Sequence, residues 1–209
     1  MRKMLYLFLF LLLLSGCQES NSNIKEESLE ETKTDDYKEK NMFTIDAYLQ
    51  DIEDVLELNS KNLIDKLKEI DNLTFYSEVE LLDFSTFVDP THYTLSIVMF
   101  SMDKEANEVF YEGNDSNLFS GSMNIIDNIK YYQISDNQMN LFSTFYEENA
   151  ETIVPKEQEV IKDWFEDCWI TANNGQESGL PSYFSFHDEY KSYDLINKKW
   201  ISEDEMWSF

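Results

Sequence analysis

The sequence has very little arginine, glycine, proline and cysteine, and these shortages exclude several classes of protein. Its 209 residues include 5 glycines, 3 prolines, 2 cysteines and a single arginine, Arg2. Without further arginine and without a glycine-rich loop, the chain cannot build the bidentate phosphate clamps typical of nucleotide-binding sites. Its 42 acidic residues against 16 basic ones give a net charge of -26, which also argues against nucleic-acid binding.

The residues that usually carry metal sites or catalysis are equally sparse. A zinc site needs several histidines and cysteines at short spacing, whereas His92, His187 and Cys168 are scattered. The run 114–117 offers oxygen ligands but lacks the glycine frame of a calcium loop. No G-x-S-x-G elbow accompanies His187 and Asp188, and nothing selects one pair of carboxylates as a glycosidase site. We therefore expect no catalytic residue, no metal ligand, no cofactor and no enzymatic activity.

The N-terminus has the pattern of an export signal. Arg2 and Lys3 precede ten uninterrupted apolar residues, Leu5 to Leu14. A helix that spans a bilayer needs about 20 apolar residues, so this run is too short to span and indicates a signal peptide.

The residues that follow this run, Leu14-Ser15-Gly16-Cys17, resemble the lipobox of bacterial lipoproteins. The resemblance implies that residues 1–16 are removed and that Cys17 becomes the lipid attachment residue, carrying a diacylglyceryl group. Two acyl chains hold a protein firmly on a membrane. We therefore expect a lipid anchor on the extracytoplasmic face of the cell membrane, or on the outer membrane if the source has two membranes.

The next segment, residues 17–41, predicts a flexible acidic tether. Beyond Cys17 it contains no proline or glycine, one aromatic residue (Tyr37) and many acids and hydroxyls. A helix continuous with the following segment is the alternative. Removal of residues 1–16 leaves 14 lysines against 42 acids, a net charge of -28, and a spacer would relieve repulsion from an anionic membrane. Residues 42–209 are then expected to form a single globular domain.

Cys168 is the remaining cysteine of this domain, so no disulfide can form within it. The residue lies between Asp167 and Trp169 in an amphipathic pattern. Acidic neighbours and burial both raise the pKa of a thiol, which disfavours a reactive thiolate. We predict a small core residue.

Hydrophobic spacing predicts an α+β fold with a mostly antiparallel sheet, because helices and strands are segregated along the chain. Thr44 is expected to cap an N-terminal long helix, or two shorter ones, over 44–72. Two further helices are predicted, around 139–146 and from Pro155 onward. The amphipathic C-terminal helix carries an apolar stripe of Ile161, Trp164, Phe165, Cys168 and Trp169. The predicted strands are 74–82, 93–100, 108–111, 129–134, 183–187, 193–196 and 199–201.

The C-terminal third carries a further resemblance. The segments 164–169, 181–188, 192–195 and 199–200 look like the ending of small bacterial immunity proteins, which neutralise toxins delivered by neighbouring cells. This resemblance implies binding to a protein partner, and the negative charge suits rapid capture of a basic toxin. His187 and Asp188 are expected to end one strand and begin a turn.

The sequence thus predicts a non-enzymatic, membrane-anchored lipoprotein that binds a protein partner as an immunity protein does. The alternatives are a lipoprotein that binds a small ligand or a cation, and a lipid-anchored hydrolase. No interface residue is predicted.

Overall fold

The computed structural model describes residues 42–175 and 179–208. The predicted signal peptide (1–16), the tether (17–41) and the lipid attachment residue Cys17 lie outside the described residues. Among the described residues, no helix is both long enough and apolar enough to cross a bilayer.

The predicted N-terminal long helix is two shorter helices, α1 (Ile45–Glu57) and α2 (Ser60–Ile70). Thr44 caps α1 as predicted, because its side chain accepts a hydrogen bond from the Ala47 backbone N–H at 3.2 Å. The helices separate at Leu58 and Asn59. The Asn59 side chain donates to the Val55 carbonyl at 2.9 Å, a local bond that competes with helix continuation.

A six-stranded sheet within the described residues confirms the mixed α+β, mostly antiparallel prediction. The strands are β1 (Thr74–Phe75), β2 (Leu81–Asp89), β3 (Thr94–Met102), β4 (Leu118–Phe119), β5 (Ser122–Lys130), β6 (Ser182–Phe186), β7 (Lys191–Asp194) and β8 (Lys199–Ser202). The strand order in the six-stranded sheet is β5-β3-β2-β6-β7-β8, and β2 and β6 are its parallel neighbours. A separate parallel pair joins β1 to β4.

Several predicted strands differ from the structure. The alternation over 74–82 is interrupted by a turn, in which the Val79 N–H donates to the Tyr76 carbonyl at 2.9 Å, so the long strand begins only at Leu81. The 108–111 segment contributes one bridge, Met102 to Glu108. Of the predicted strand 129–134, only Ile129 and Lys130 lie in a strand, the end of β5, which starts earlier, at Ser122; residues 131–134 are not strand. The chain turns between β2 and β3 at residues 90–93, and it folds back between β7 and β8 at residues 195–198.

The two central helices that the sequence predicts are one continuous helix, α3 (Met139–Ala172), which passes through Pro155. Pro155 cannot donate to the Glu151 carbonyl, but both residues are exposed, so water can satisfy that carbonyl. The segments before and after Pro155 bury side chains on one shared face. This face comprises Phe142, Ile153, Glu157, Ile161 and Phe165. A short helix, α4 (Glu203–Met206), follows β8.

The core lies between α3 and the sheet, and α1 and α2 close it from the helical side. Phe165 of α3 lies 5.2 Å from Phe84 of β2 and 4.7 Å from Phe184 of β6, measured between ring centroids. All five residues of the predicted stripe on α3 are buried, which confirms that prediction.

Candidate functional site

An open groove with a volume of about 590 Å³ runs where α1 and α2 pack against α3. Its lining includes three half-buried aliphatic side chains, Ile64, Val160 and Ile170. Four exposed carboxylates also line it, those of Glu53, Glu57, Asp163 and Asp167. No lysine is among the described residues that line this surface, which we call the acidic groove.

Helical spacing sets the positions of these carboxylates. Glu53 and Glu57 are four residues apart on α1, and Asp163 and Asp167 are four residues apart on α3, so each pair lies on one helix face. Like charges at this spacing cost a few tenths of a kcal/mol per pair. The groove therefore concentrates negative potential at a small cost in stability, and such a potential attracts cationic partners.

Ser60, the first residue of α2, forms hydrogen bonds to both α1 and α3 at the base of the groove. Its hydroxyl donates to Glu57 Oε2 at 3.0 Å and accepts a 2.9 Å hydrogen bond from Trp164 Nε1. Cys168 Sγ lies 3.9 Å from the Ser60 carbonyl oxygen. Burial raises the pKa of the Cys168 thiol to about 11, and nearby Glu57 raises it too. Cys168 is therefore a buried neutral thiol, as predicted for a core residue.

One lysine, Lys162, partly neutralises the negative charge at the acidic groove. Lys162 is buried and pairs with Asp163, with Glu159 at 2.9 Å and with Glu166 at 3.7 Å. Its ammonium also lies 4.7 Å from the centroid of the Tyr193 ring. Burial alone would lower the pKa of Lys162, but the hydrogen bonds to Asp163 and Glu159 raise it above the ordinary value. Glu53, Glu57 and Asp167 make no ion pair within the described ranges.

The two histidines lie in separate local contacts. His92 is exposed in the turn between β2 and β3, with Nδ1 2.7 Å from Asp89 Oδ2, and this contact lowers the pKa of Asp89. His187 follows β6, and its ring contacts that of Phe87 in a tilted arrangement, 4.4 Å between centroids. Its backbone N–H donates to the Thr86 carbonyl at 3.0 Å. In the described part of the chain, no group of three His, Cys, Asp or Glu side chains could hold a metal ion.

Comparison with known families is informative at the N-terminus. Residues 1–18 match the model of the prokaryotic membrane lipoprotein lipid attachment site. The chain carries a lipoprotein lipid attachment site. This match includes Cys17 and supports the predicted lipobox of a membrane-anchored lipoprotein.

The other comparisons return nothing for the rest of the lipoprotein. Neither the curated proteins nor the solved structures compared with it include a match. The resemblance of the C-terminal third to immunity proteins therefore gains no support from relatives.

The acidic groove was not predicted from the sequence, although the i, i+4 acid pairs on α1 and α3 were visible in it. What the sequence did not show is that these two helices pack together.

Proposed function

We propose that this lipoprotein is a non-enzymatic binding protein, held by Cys17 at the extracytoplasmic face of the membrane, that captures a basic protein in its acidic groove. The observation that carries the proposal is the groove itself. Two pairs of exposed carboxylates, on α1 and α3, border aliphatic side chains that remain half-exposed. Lysine or arginine side chains of a partner would pair with the carboxylates, while an apolar anchor residue would cover Ile64, Val160 and Ile170.

The charge of the whole domain supports the same partner chemistry. A net charge of -28 on the processed chain generates a field that steers a basic protein toward it and raises the association rate. The groove supplies what long-range charge cannot, namely apolar surface that is desolvated on contact and slows dissociation. Steering and packing therefore act on the same partner.

The class of partner that best fits is a basic secreted toxin, which would make the lipoprotein an immunity protein. A lipid anchor would hold the inhibitor at the membrane surface that an incoming toxin must reach. The resemblance of segments 164–169 and 181–188 to immunity proteins favours this partner over other basic proteins. The first of these segments includes Asp167, a groove residue.

The experiment that tests this proposal is co-expression of the lipoprotein with a secreted protein that is encoded beside it and is exported from the cell. The wild-type lipoprotein should restore growth to cells that the exported protein inhibits. A groove variant (Glu53→Gln, Glu57→Gln, Asp163→Asn, Asp167→Asn) should fail to protect.

A matched variant serves as the control for total charge. It carries Glu105→Gln, Glu112→Gln, Glu148→Gln and Glu151→Gln, all exposed residues outside the groove. It loses the same number of negative charges as the groove variant, four, and should protect as the wild type does. If the neighbouring product is harmless and does not associate with the lipoprotein, the immunity proposal is wrong. Equal protection by both variants would exclude the groove as the interface.

A further inference from the structure

A second cavity, of about 270 Å³, lies at the carboxyl ends of β2 and β6 beside α3. Within the part of the chain that the structure describes, it shares no lining residue with the acidic groove. The chain leaves β2 toward β3 on one side of the sheet, and leaves β6 toward β7 on the other. Both connections are antiparallel hairpins, and residues of the two turns, Pro90 after β2 and Asp188 after β6, line the cavity.

A buried carboxylate, Glu157 on α3, lines this cavity. Glu157 is only 5% exposed. Its carboxylate accepts hydrogen bonds from the hydroxyls of Tyr48 at 2.8 Å and Tyr146 at 3.2 Å. Both bonds reach Oε2. A carboxylate has about four lone-pair sites, so Glu157 can accept further donors from within the cavity.

A buried hydroxyl without a partner, that of Thr86, is the second and independent observation. Thr86 is 1% exposed, lines the cavity, and its Oγ1 has no hydrogen-bond partner among the described residues. Thr86 lies on the same face of β2 as Phe84, which packs on α3. Buried hydroxyls are rarely left unpaired in native proteins, so this one points to a group that the cavity receives.

The remaining lining defines the chemistry of that group. Asp188 and Glu189 add carboxylates at the exposed side. No lysine is among the described residues that line the cavity, which disfavours an anionic ligand. Ile161 and Phe186 are buried apolar side chains in the same lining. The volume corresponds to about nine water molecules, which suits a small ligand.

We infer that this cavity binds a small organic amine, whose ammonium group donates to Glu157 and Thr86 and whose hydrocarbon part packs against Ile161 and Phe186. The ammonium would approach Glu157 from the cavity while Tyr48 and Tyr146 hold the carboxylate from the core. A free amino acid fits less well, because its carboxylate would lie among three acidic side chains without a cationic partner.

Calorimetric titration of the full-length lipoprotein in non-ionic detergent, with empty micelles as the blank, tests this inference. The probes are hexylamine, 1-hexanol and hexanoate, which share a carbon chain and differ in charge. Hexylamine should bind at least about tenfold more tightly than either other probe, because a hydrogen bond to a charged group adds that much or more. Equal binding of hexylamine and 1-hexanol, or no binding of hexylamine, would overturn the inference.

Two variants place the binding in this cavity. Thr86→Val replaces an unpartnered hydroxyl by a methyl group of the same shape, so the variant should fold, and should bind hexylamine about five- to tenfold more weakly. Glu157→Gln keeps an acceptor for the tyrosines and removes the charge, and should weaken binding by about tenfold or more. Glu151→Gln, an exposed site on α3 outside the cavity, is the control and should bind as the wild type does. Hexylamine binding that neither cavity variant weakens would assign it to the general acidic surface and overturn the inference.

Discussion

The hydroxyl of Tyr48 on α1 donates a 2.8 Å hydrogen bond to Glu157 Oε2 on α3, and the two residues are 109 positions apart in the chain. Burial raises the pKa of Glu157, while the hydrogen bonds from Tyr48 and Tyr146 oppose that rise. Tyr131 also lies close enough to lower the pKa of Glu157, although its hydroxyl makes no well-formed hydrogen bond within the described residues. Neutral donors therefore hold this buried carboxylate, and the bond from Tyr48 joins α1, one wall of the acidic groove, to α3.

Tyr48→Phe should destabilise the lipoprotein by about 1.5–3 kcal/mol, because it removes a buried hydrogen bond to a charged group. Urea denaturation followed by tryptophan fluorescence measures the change. Tyr190→Phe is the matched control, since Tyr190 is 84% exposed, and should leave the free energy of unfolding unchanged. Identical curves for Tyr48→Phe and the wild type would show that the bond adds nothing to stability.

Pro155→Ala should stabilise the lipoprotein by about 1–3 kcal/mol. Proline inside a helix costs about 3 kcal/mol relative to alanine, and the greater chain entropy of the unfolded alanine variant offsets part of the gain. Lys156→Ala, at the next exposed position of α3, is the control and should change stability by less than about 0.5 kcal/mol. A lower melting temperature for Pro155→Ala would contradict the position of Pro155 in the interior of one continuous helix.

Asp83 of β2 should make stability depend on pH. Burial raises its pKa from 3.8 to about 6, although a 3.0 Å hydrogen bond from Ser185 Oγ lowers it. The folded state thus binds this proton more tightly than the unfolded state does. The contribution of Asp83 to the free energy of unfolding falls as pH rises from about 4 to about 6, by at most about 3 kcal/mol.

Asp83→Asn should remove this dependence. The gain in stability of the variant over the wild type should grow from near zero at pH 4 to its maximum above pH 6, measured by urea denaturation across that range. A difference between Asp83→Asn and the wild type that stays constant with pH would show that Asp83 titrates normally.

The sequence predicted the parts of the fold that follow from local spacing. The stripe from Ile161 to Trp169 recurs at three and four residues, so its burial could be inferred without tertiary information. Thr44 likewise identified the start of α1 by its capping chemistry. The class of fold followed from the order of such elements.

The parts that were wrong depend on contacts between distant segments. Local rules end a helix near Pro155, but the shared buried face of α3 keeps the chain helical on both sides of it. The alternation from Thr74 to Leu82 could not reveal that the pairing of β2 with β3 begins only at Leu81. The acidic groove and the cavity at Thr86 and Glu157 each need helices and strands to be brought together, which spacing alone does not specify.

Cys17→Ala should abolish incorporation of a fatty-acid analogue and release the lipoprotein from membranes or leave it as unprocessed precursor. The reason is that Cys17 is the predicted thiol of the lipid attachment site that residues 1–18 match. Metabolic labelling followed by fractionation measures both effects. Cys168→Ala is the control and should be labelled as the wild type is; equal labelling of Cys17→Ala would contradict the anchor.

The central claim, capture of a basic protein by the acidic groove, is tested most directly by association rates. Stopped-flow mixing of the neighbouring secreted protein with the wild type, the groove variant and the matched variant would be repeated at increasing salt. The screening length is about 8 Å at 0.15 M salt, so added salt removes long-range steering from all three proteins. Because the two variants have equal net charge, any difference between them reports the groove.

We expect the wild-type association rate to fall steeply with salt. The groove variant should associate at least about fivefold more slowly than the matched variant at low salt, and should dissociate faster at every salt concentration. Equal association and dissociation rates for the groove and matched variants would contradict the claim, because net charge alone would then account for capture.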